Sequence, residues 1–266
     1  MRRLGQALAI AGILLLFSPE WVPFDPLVVR GAALALFLGG LTLAVLASIL
    51  ANLPAAARMD PLADDALPIP CEPLVEDLLA LGFQRLGPVL RVHMEPMASL
   101  VPLWHPAEQC YATVFHSCGA PGQAHYDIVT VFEPGEAGLT SAANPAAGVL
   151  PPAPGAFLQI FPGAAPQELL ERHREGRDHL ARAAVLRPRP CCDRFQDLLA
   201  QALRRQRVAF LRSPLRHTWI ALWRVLTKRV PALGPVASQA ATPERLEQLS
   251  DPRARAETDD ALFVGR

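Results

Sequence analysis

The stretch CYATVFHSCGAPGQAHYDIVTVFE, residues 110–133, reads as two strands around a Gly-Ala-Pro-Gly turn. Side chains alternate along a strand. One face of the first strand carries Tyr111, Thr113, Phe115 and Ser117, and the other carries Cys110, Ala112, Val114, His116 and Cys118. An even-length turn brings Tyr126, Ile128 and Phe132 onto the aromatic face. That face is then the core. The opposite face gathers His116, Cys118, His125 and Asp127 at the hairpin tip. Opposed residues sit about 5 Å apart, so this set could reach one Zn²⁺. Cys110 is excluded, because it lies roughly 26 Å from Cys118 along an extended strand. The competing reading is a half-exposed polar strand face with no cofactor. No C-x₂-C turn marks a zinc site.

Outward from this hairpin the pattern is α+β. Residues 73–81 read as a short helix, with Pro73 in its first turn, Glu76 and Asp77 at its positive end and Gly82 after its end. Residues 83–92 and 156–161 read as further strands bounded by Gly and Pro, with a short strand near Leu139. Residues 166–186 form the clearest helix, with the stripe Leu169, His173, Gly176, Leu180 and Ala183. His173 on that stripe reads as a hydrogen-bonded core histidine. Helices over about 192–211 and 214–230 follow. A helix, several consecutive strands and then helices predict a mostly antiparallel sheet flanked by helices, with C-terminal helices.

LGF at 81–83, YATV at 111–114 and ELLERHREG at 168–176 together resemble a group of uncharacterised bacterial membrane-anchored proteins. The resemblance spans residues 73–186. It implies an N-terminal two-helix hairpin and a soluble α+β domain, and it carries over no catalytic residue.

The N-terminal residues fit that expectation. Residues 31–53 run without a charge. At 1.5 Å per residue they span the roughly 30 Å hydrocarbon core of a bilayer. Residues 1–17 open with Arg2 and Arg3 and turn apolar from Ala7. No small-x-small cleavage site follows, so this segment is expected as an uncleaved first span rather than a signal peptide. Arg2, Arg3 and Arg58 flank one side and Arg30 the other, which predicts both ends in the cytoplasm. Gly39 and Gly40 could permit close helix contact. The organisation expected is a transmembrane hairpin over 1–53, a linker over 54–70, an α+β domain over 71–188, a basic helical segment over 189–230 and a flexible tail over 231–266.

No Asp or Glu occurs between Asp197 and Glu244, a span rich in Arg. Ser213 can cap a helix with Pro214 at its first position. Leu215, Trp219, Leu222 and Leu226 form an apolar stripe with Trp223 beside it, and His217, Arg224 and Lys228 lie opposite. Two readings fit. One is an interfacial helix on anionic lipid, with Arg216, Trp219, Trp223, Arg224 and Lys228 at the membrane surface. The other is a helix whose stripe covers the domain core.

The formal net charge is zero, which gives no electrostatic case for nucleic acid. Five cysteines, at 71, 110, 118, 191 and 192, do not form a disulfide framework. The adjacent pair Cys191 and Cys192 sits where a helix begins. No G-x-S-x-G, H-E-x-x-H, P-loop or G-x-G-x-x-G motif is present. The expectation is a non-enzymatic binding or scaffold protein of the bacterial inner membrane, whose partner is the lipid bilayer. The alternative is a metal-dependent hydrolase using the hairpin-tip cluster.

Overall fold

A computed structural model describes residues 2–17, 25–53, 58–62, 67–93, 97–117, 123–133, 137–184, 186–189, 195–227, 233–240 and 242–250. Two helices open the chain, α1 (Arg2–Phe17) and α2 (Pro26–Asn52). Strand β1 (Met59–Pro61) and a 3₁₀ turn at Ile69–Cys71 lead into α3 (Glu72–Ala80). Strands β2 (Gln84–Arg85), β3 (Leu90–Val92), β4 (Ala98–His105), β5 (Cys110–Ser117), β6 (Ala124–Glu133), β7 (Gly138–Ala142) and β8 (Ala156–Ile160) follow. The chain continues through α4 (Pro166–Ala184), β9 (Arg187–Pro188), α5 (Phe195–Arg212), α6 (Pro214–Thr227) and α7 (Thr242–Ser250).

The strands make one sheet in the order β1-β3-β4-β5-β6-β7-β8, with β2 on β4 and β9 on β6. Every pairing is antiparallel except β7 with β8. The fold is therefore α+β with a mostly antiparallel sheet, as the element order predicts. The expected strand over 83–92 is divided into β2 and β3, and both lie against β4. β4 itself escapes the sequence pattern, because Pro102 stands in its middle and proline lacks the ladder N–H. The structure accommodates it where the neighbouring strand changes. β3 pairs as far as Leu100 and β2 begins at Leu103, so Pro102 falls between the two. Its carbonyl accepts the Leu86 N–H at 3.1 Å.

The hairpin register differs from the expectation. Phe115 pairs with His125, Thr113 with Asp127 and Val114 with Tyr126. Ala112, Val114, Tyr126, Ile128, Thr130 and Phe132 thus share one face, here called face A. Tyr111, Thr113, Phe115, His125, Asp127 and Val129 share the other, face B. Helices cover both faces. Face A meets α3 and α4 in a core that includes Val75, Leu78, Leu103, Val114, Ile128 and Leu169. Face B meets α5 through Leu100, Trp104, Tyr111 and Phe195. Alternation identifies a core face only when the other face is wet. Here Tyr111 and Val114 are both buried, so the pattern could not set the register.

The N-terminal helices touch backbone to backbone. A Cβ at Gly40 would lie 2.4 Å from the Ala9 nitrogen, and one at Gly5 would lie 2.6 Å from the Ala44 nitrogen. Gly39 faces open space, so Gly40 is the contact glycine of the pair. Among the described residues α2 alone is long and apolar enough to cross a membrane. With 27 residues it is about 40 Å long. Only 17% of its most apolar stretch is buried, unlike the core helix of a soluble protein. α1 has 16 residues, about 24 Å, short of a bilayer core.

Two further expectations are corrected. The linker over 54–70 supplies edge strand β1, and its Asp60 pairs with His93 at 2.7 Å. The tail over 231–266 includes a packed segment. Val236 is fully buried, its N–H bonds Gln159 Oε1, and Gln239 donates to the Leu158 carbonyl.

Candidate functional site

Two places carry chemistry. The first is a buried polar chain on face A. His173 Nδ1 lies 2.7 Å from Ser141 Oγ and its Nε2 lies 2.8 Å from Thr130 Oγ1. Gln159 Nε2 donates to Ser141 Oγ at 2.7 Å and to the Arg172 carbonyl at 2.9 Å. A neutral imidazole with Nε2–H satisfies the set: Ser141 donates to Nδ1, and Nε2–H donates to Thr130. Burial drives the His173 pKa down to about 3, with Arg177 adding to the effect. A Ser–His contact suggests nucleophilic catalysis, but Thr130, Ser141, Gln159 and His173 are all sealed from solvent. No substrate reaches them, so they hold α4 on the sheet. Gly176 makes this approach feasible, since a Cβ there would lie 2.7 Å from Gln159 Oε1.

The hairpin-tip residues do not assemble as expected. His116 pairs with Ala124 on face A, whereas His125 and Asp127 lie on face B. Cys118 lies outside the described residues. Among the described residues no group of three or more His, Cys, Asp and Glu side chains is placed to hold a metal. His116 Nε2 and Asp127 Oδ1 are each buried without a hydrogen-bond partner. Burial pushes the Asp127 pKa up to about 7. His125 lies tilted beside Phe115, with ring centroids 5.6 Å apart.

The remaining titratable groups serve the fold. His105 meets the Leu81 carbonyl at 3.0 Å and accepts the Glu108 N–H, which ties the end of α3 to the β4–β5 turn. Glu108 bridges Arg174 and Arg177 at 2.9 Å each. Burial acts to raise its pKa, but the two arginines outweigh it and hold the carboxyl below its ordinary value. The Cys110 thiol is pushed up to about 12, mainly by burial, and Cys71 to about 11. Neither is a reactive thiolate. Cys191 and Cys192 lie outside the described residues.

The second place is face B beyond Tyr111. Here α6 packs on α2 and α5, and these helices face β6, β7 and β8 across a shared cavity. That cavity is open, with a volume of about 820 Å³. Its walls include Val45 and Ile49 of α2, Val129 of β6, Leu158 of β8, Leu198 of α5 and Leu222 of α6. Arg207 of α5 donates to the Leu50 and Leu53 carbonyls. A cation thus caps the negative end of α2 and fixes the helix to the domain. Gln206 accepts from the Ala153 N–H at 3.0 Å and donates to the Pro151 carbonyl at 2.8 Å, which holds the loop that floors the cavity.

The α6 stripe faces outward. Thr218, Ala221 and Leu222 are buried, while Leu215, Trp219, Trp223 and Leu226 are 62, 48, 64 and 65% exposed. Leu222 therefore leaves the expected stripe for the interior. Arg216 is exposed. Arg224 turns inward and donates to the Gly148 carbonyl at 2.6 Å, with burial lowering its pKa. Lys228 lies outside the described residues. The sequence indicated the stripe but not the cavity or Arg207, because both depend on which helices meet across 150 residues of chain.

Comparison with protein-family models, curated proteins and solved structures yields no match.

Proposed function

We propose that this protein is a non-enzymatic membrane-anchored binding or scaffold protein, with its α+β domain on the cytoplasmic side of a bacterial inner membrane. Helix α2 is the span. Helix α1 is a second, shorter span held against it, with Arg2 and Arg3 reaching the headgroups. Arg2, Arg3 and Arg58 on one side support this orientation under the positive-inside rule. The observation that carries the reading is the apolar face of α6. Leu215, Trp219, Trp223 and Leu226 project outward from a helix packed on α2. On a water-facing helix that surface is a liability. At the headgroup level beside a span, tryptophan and leucine are suited to the interface. Arg212 and Arg216, exposed on the same helical region, supply attraction to anionic lipid.

The test uses a full-length Trp21→Phe variant in vesicles whose acyl chains are brominated. Emission from Trp219 and Trp223 is expected to be quenched, while buried Trp104 keeps its signal. Quenching should rise when anionic phosphatidylglycerol is included and fall again with salt. Unquenched emission in both lipid mixtures rejects the interfacial placement. Equal quenching in neutral and anionic vesicles removes the anionic preference alone.

A further inference from the structure

We propose that the cavity between α2, α5, α6 and face B binds a hydrocarbon chain of a membrane lipid. The inference rests on the membrane-anchored reading and adds a ligand class to it. Three observations carry it. At about 820 Å³ the cavity lies within the roughly 300–1,000 Å³ range of small-molecule sites. Its walls are mainly aliphatic, with Ser48, Asn52, Thr140, Gln201, Arg205 and Gln206 as the polar residues of the lining. Of these, Gln206 holds Ala153 and Pro151, and Asn52 holds the Ser48 carbonyl. Aliphatic surface makes up most of the wall, which suits a hydrocarbon chain.

The third observation selects the source. One wall is the C-terminal half of α2, the helix long and apolar enough to cross a bilayer. Val225 of α6 both lines the cavity and belongs to the exposed apolar face of that helix. The cavity is thus continuous with the apolar surface formed by α2 and α6. A chain entering from the bilayer exchanges one hydrocarbon environment for another and never crosses water.

The test reconstitutes the full chain in phosphatidylcholine vesicles carrying a diazirine near the methyl end of one acyl chain. After irradiation, adducts are mapped by peptide mass spectrometry. Two groups are expected: one on the outer surface of α2 at Leu34 and Leu38, and one within β6 and α5 on the cavity walls. Ala202→Trp and Leu222→Trp, each checked for folding by circular dichroism, fill the cavity from two different helices. In whichever variant folds, the cavity adducts should be lost and the α2 adducts retained. Adducts confined to α2 and α6 overturn the cavity proposal and leave the anchored reading standing. Cavity adducts that persist in a folded, filled variant also overturn it. An unlabelled α2 overturns the anchored reading and the cavity proposal together.

Discussion

Helices α4 and α6 both carry apolar residues at helical spacing, and the sheet treats them differently. On face A, α4 turns Leu169, Leu170, His173, Gly176 and Leu180 inward, and all five are buried. On face B, α6 buries only Thr218, Ala221 and Leu222, and its bulkiest apolar residues point away from the domain. Face A is closed by a polar chain with every member hydrogen-bonded, and face B keeps an open cavity. A stripe whose inward side must meet a fixed polar network specifies one packing. A stripe that meets no partner among the described residues is available to the surroundings. Stability is thus concentrated under α4, and the binding proposed for this protein lies under α6.

The sharpest way to break this comparison is at Gly176. Gln159 is held by Ser141, the Arg172 carbonyl and the Val236 N–H, so its amide cannot swing aside. Gly176→Leu should lower the unfolding free energy by roughly 3 kcal/mol, through overpacking and lost hydrogen bonds. Urea denaturation of the full chain in detergent measures this. A loss below about 1 kcal/mol would mean that α4 can shift on the sheet.

The two faces also respond oppositely to pH. His173 on face A has its folded pKa lowered from 6.5 to about 3. The unfolded chain therefore binds the extra proton, and stability falls as pH drops from about 6.5 towards 3. Asp127 on face B has its folded pKa raised from 3.8 to about 7. Here the folded state keeps the proton, and stability falls as pH rises from 3.8 to about 7. The contributions oppose each other where they overlap. His173→Leu should cost about 3 kcal/mol, because it leaves Ser141 and Thr130 short of partners. It should also unmask a stability that declines between pH 4 and 7. Asp127→Asn should gain about 1 kcal/mol at pH 8 and leave a stability that rises between pH 3 and 6.5. Identical pH slopes in the two variants would remove the assignment of one titration to each face.

The same asymmetry explains what could be read from the sequence. The start of α4, the span of β6 and the core role of His173 were legible, because each follows from the local pattern of residues. β4 was hidden by Pro102, whose tolerance depends on β2 and β3 meeting beside it. The register of β5 on β6 was misread because both faces are covered, so alternation carried no preference. That one-residue difference placed His116 and His125 on different faces of the sheet and dispersed the expected metal cluster. The stripe of α6 was legible, but its direction was not. Direction depends on α2, which lies far away in the chain and contacts α6 only in the folded structure.

The smallest stability effect tests that direction. Leu215 and Leu226 are already exposed in the folded chain, so Leu215→Ser with Leu226→Ser removes little burial. The double variant should match the unfolding free energy of the parent within about 0.5 kcal/mol in detergent. In brominated vesicles the same variant should lose much of the quenching of Trp219 and Trp223, because two of the apolar residues that seat the helix are gone. The paired result matters more than either part. A stripe that covered protein would show the reverse, a stability loss of about 2 kcal/mol or more with quenching unchanged. Unchanged stability with reduced quenching assigns the face of α6 to the bilayer and leaves that of α4 to the core.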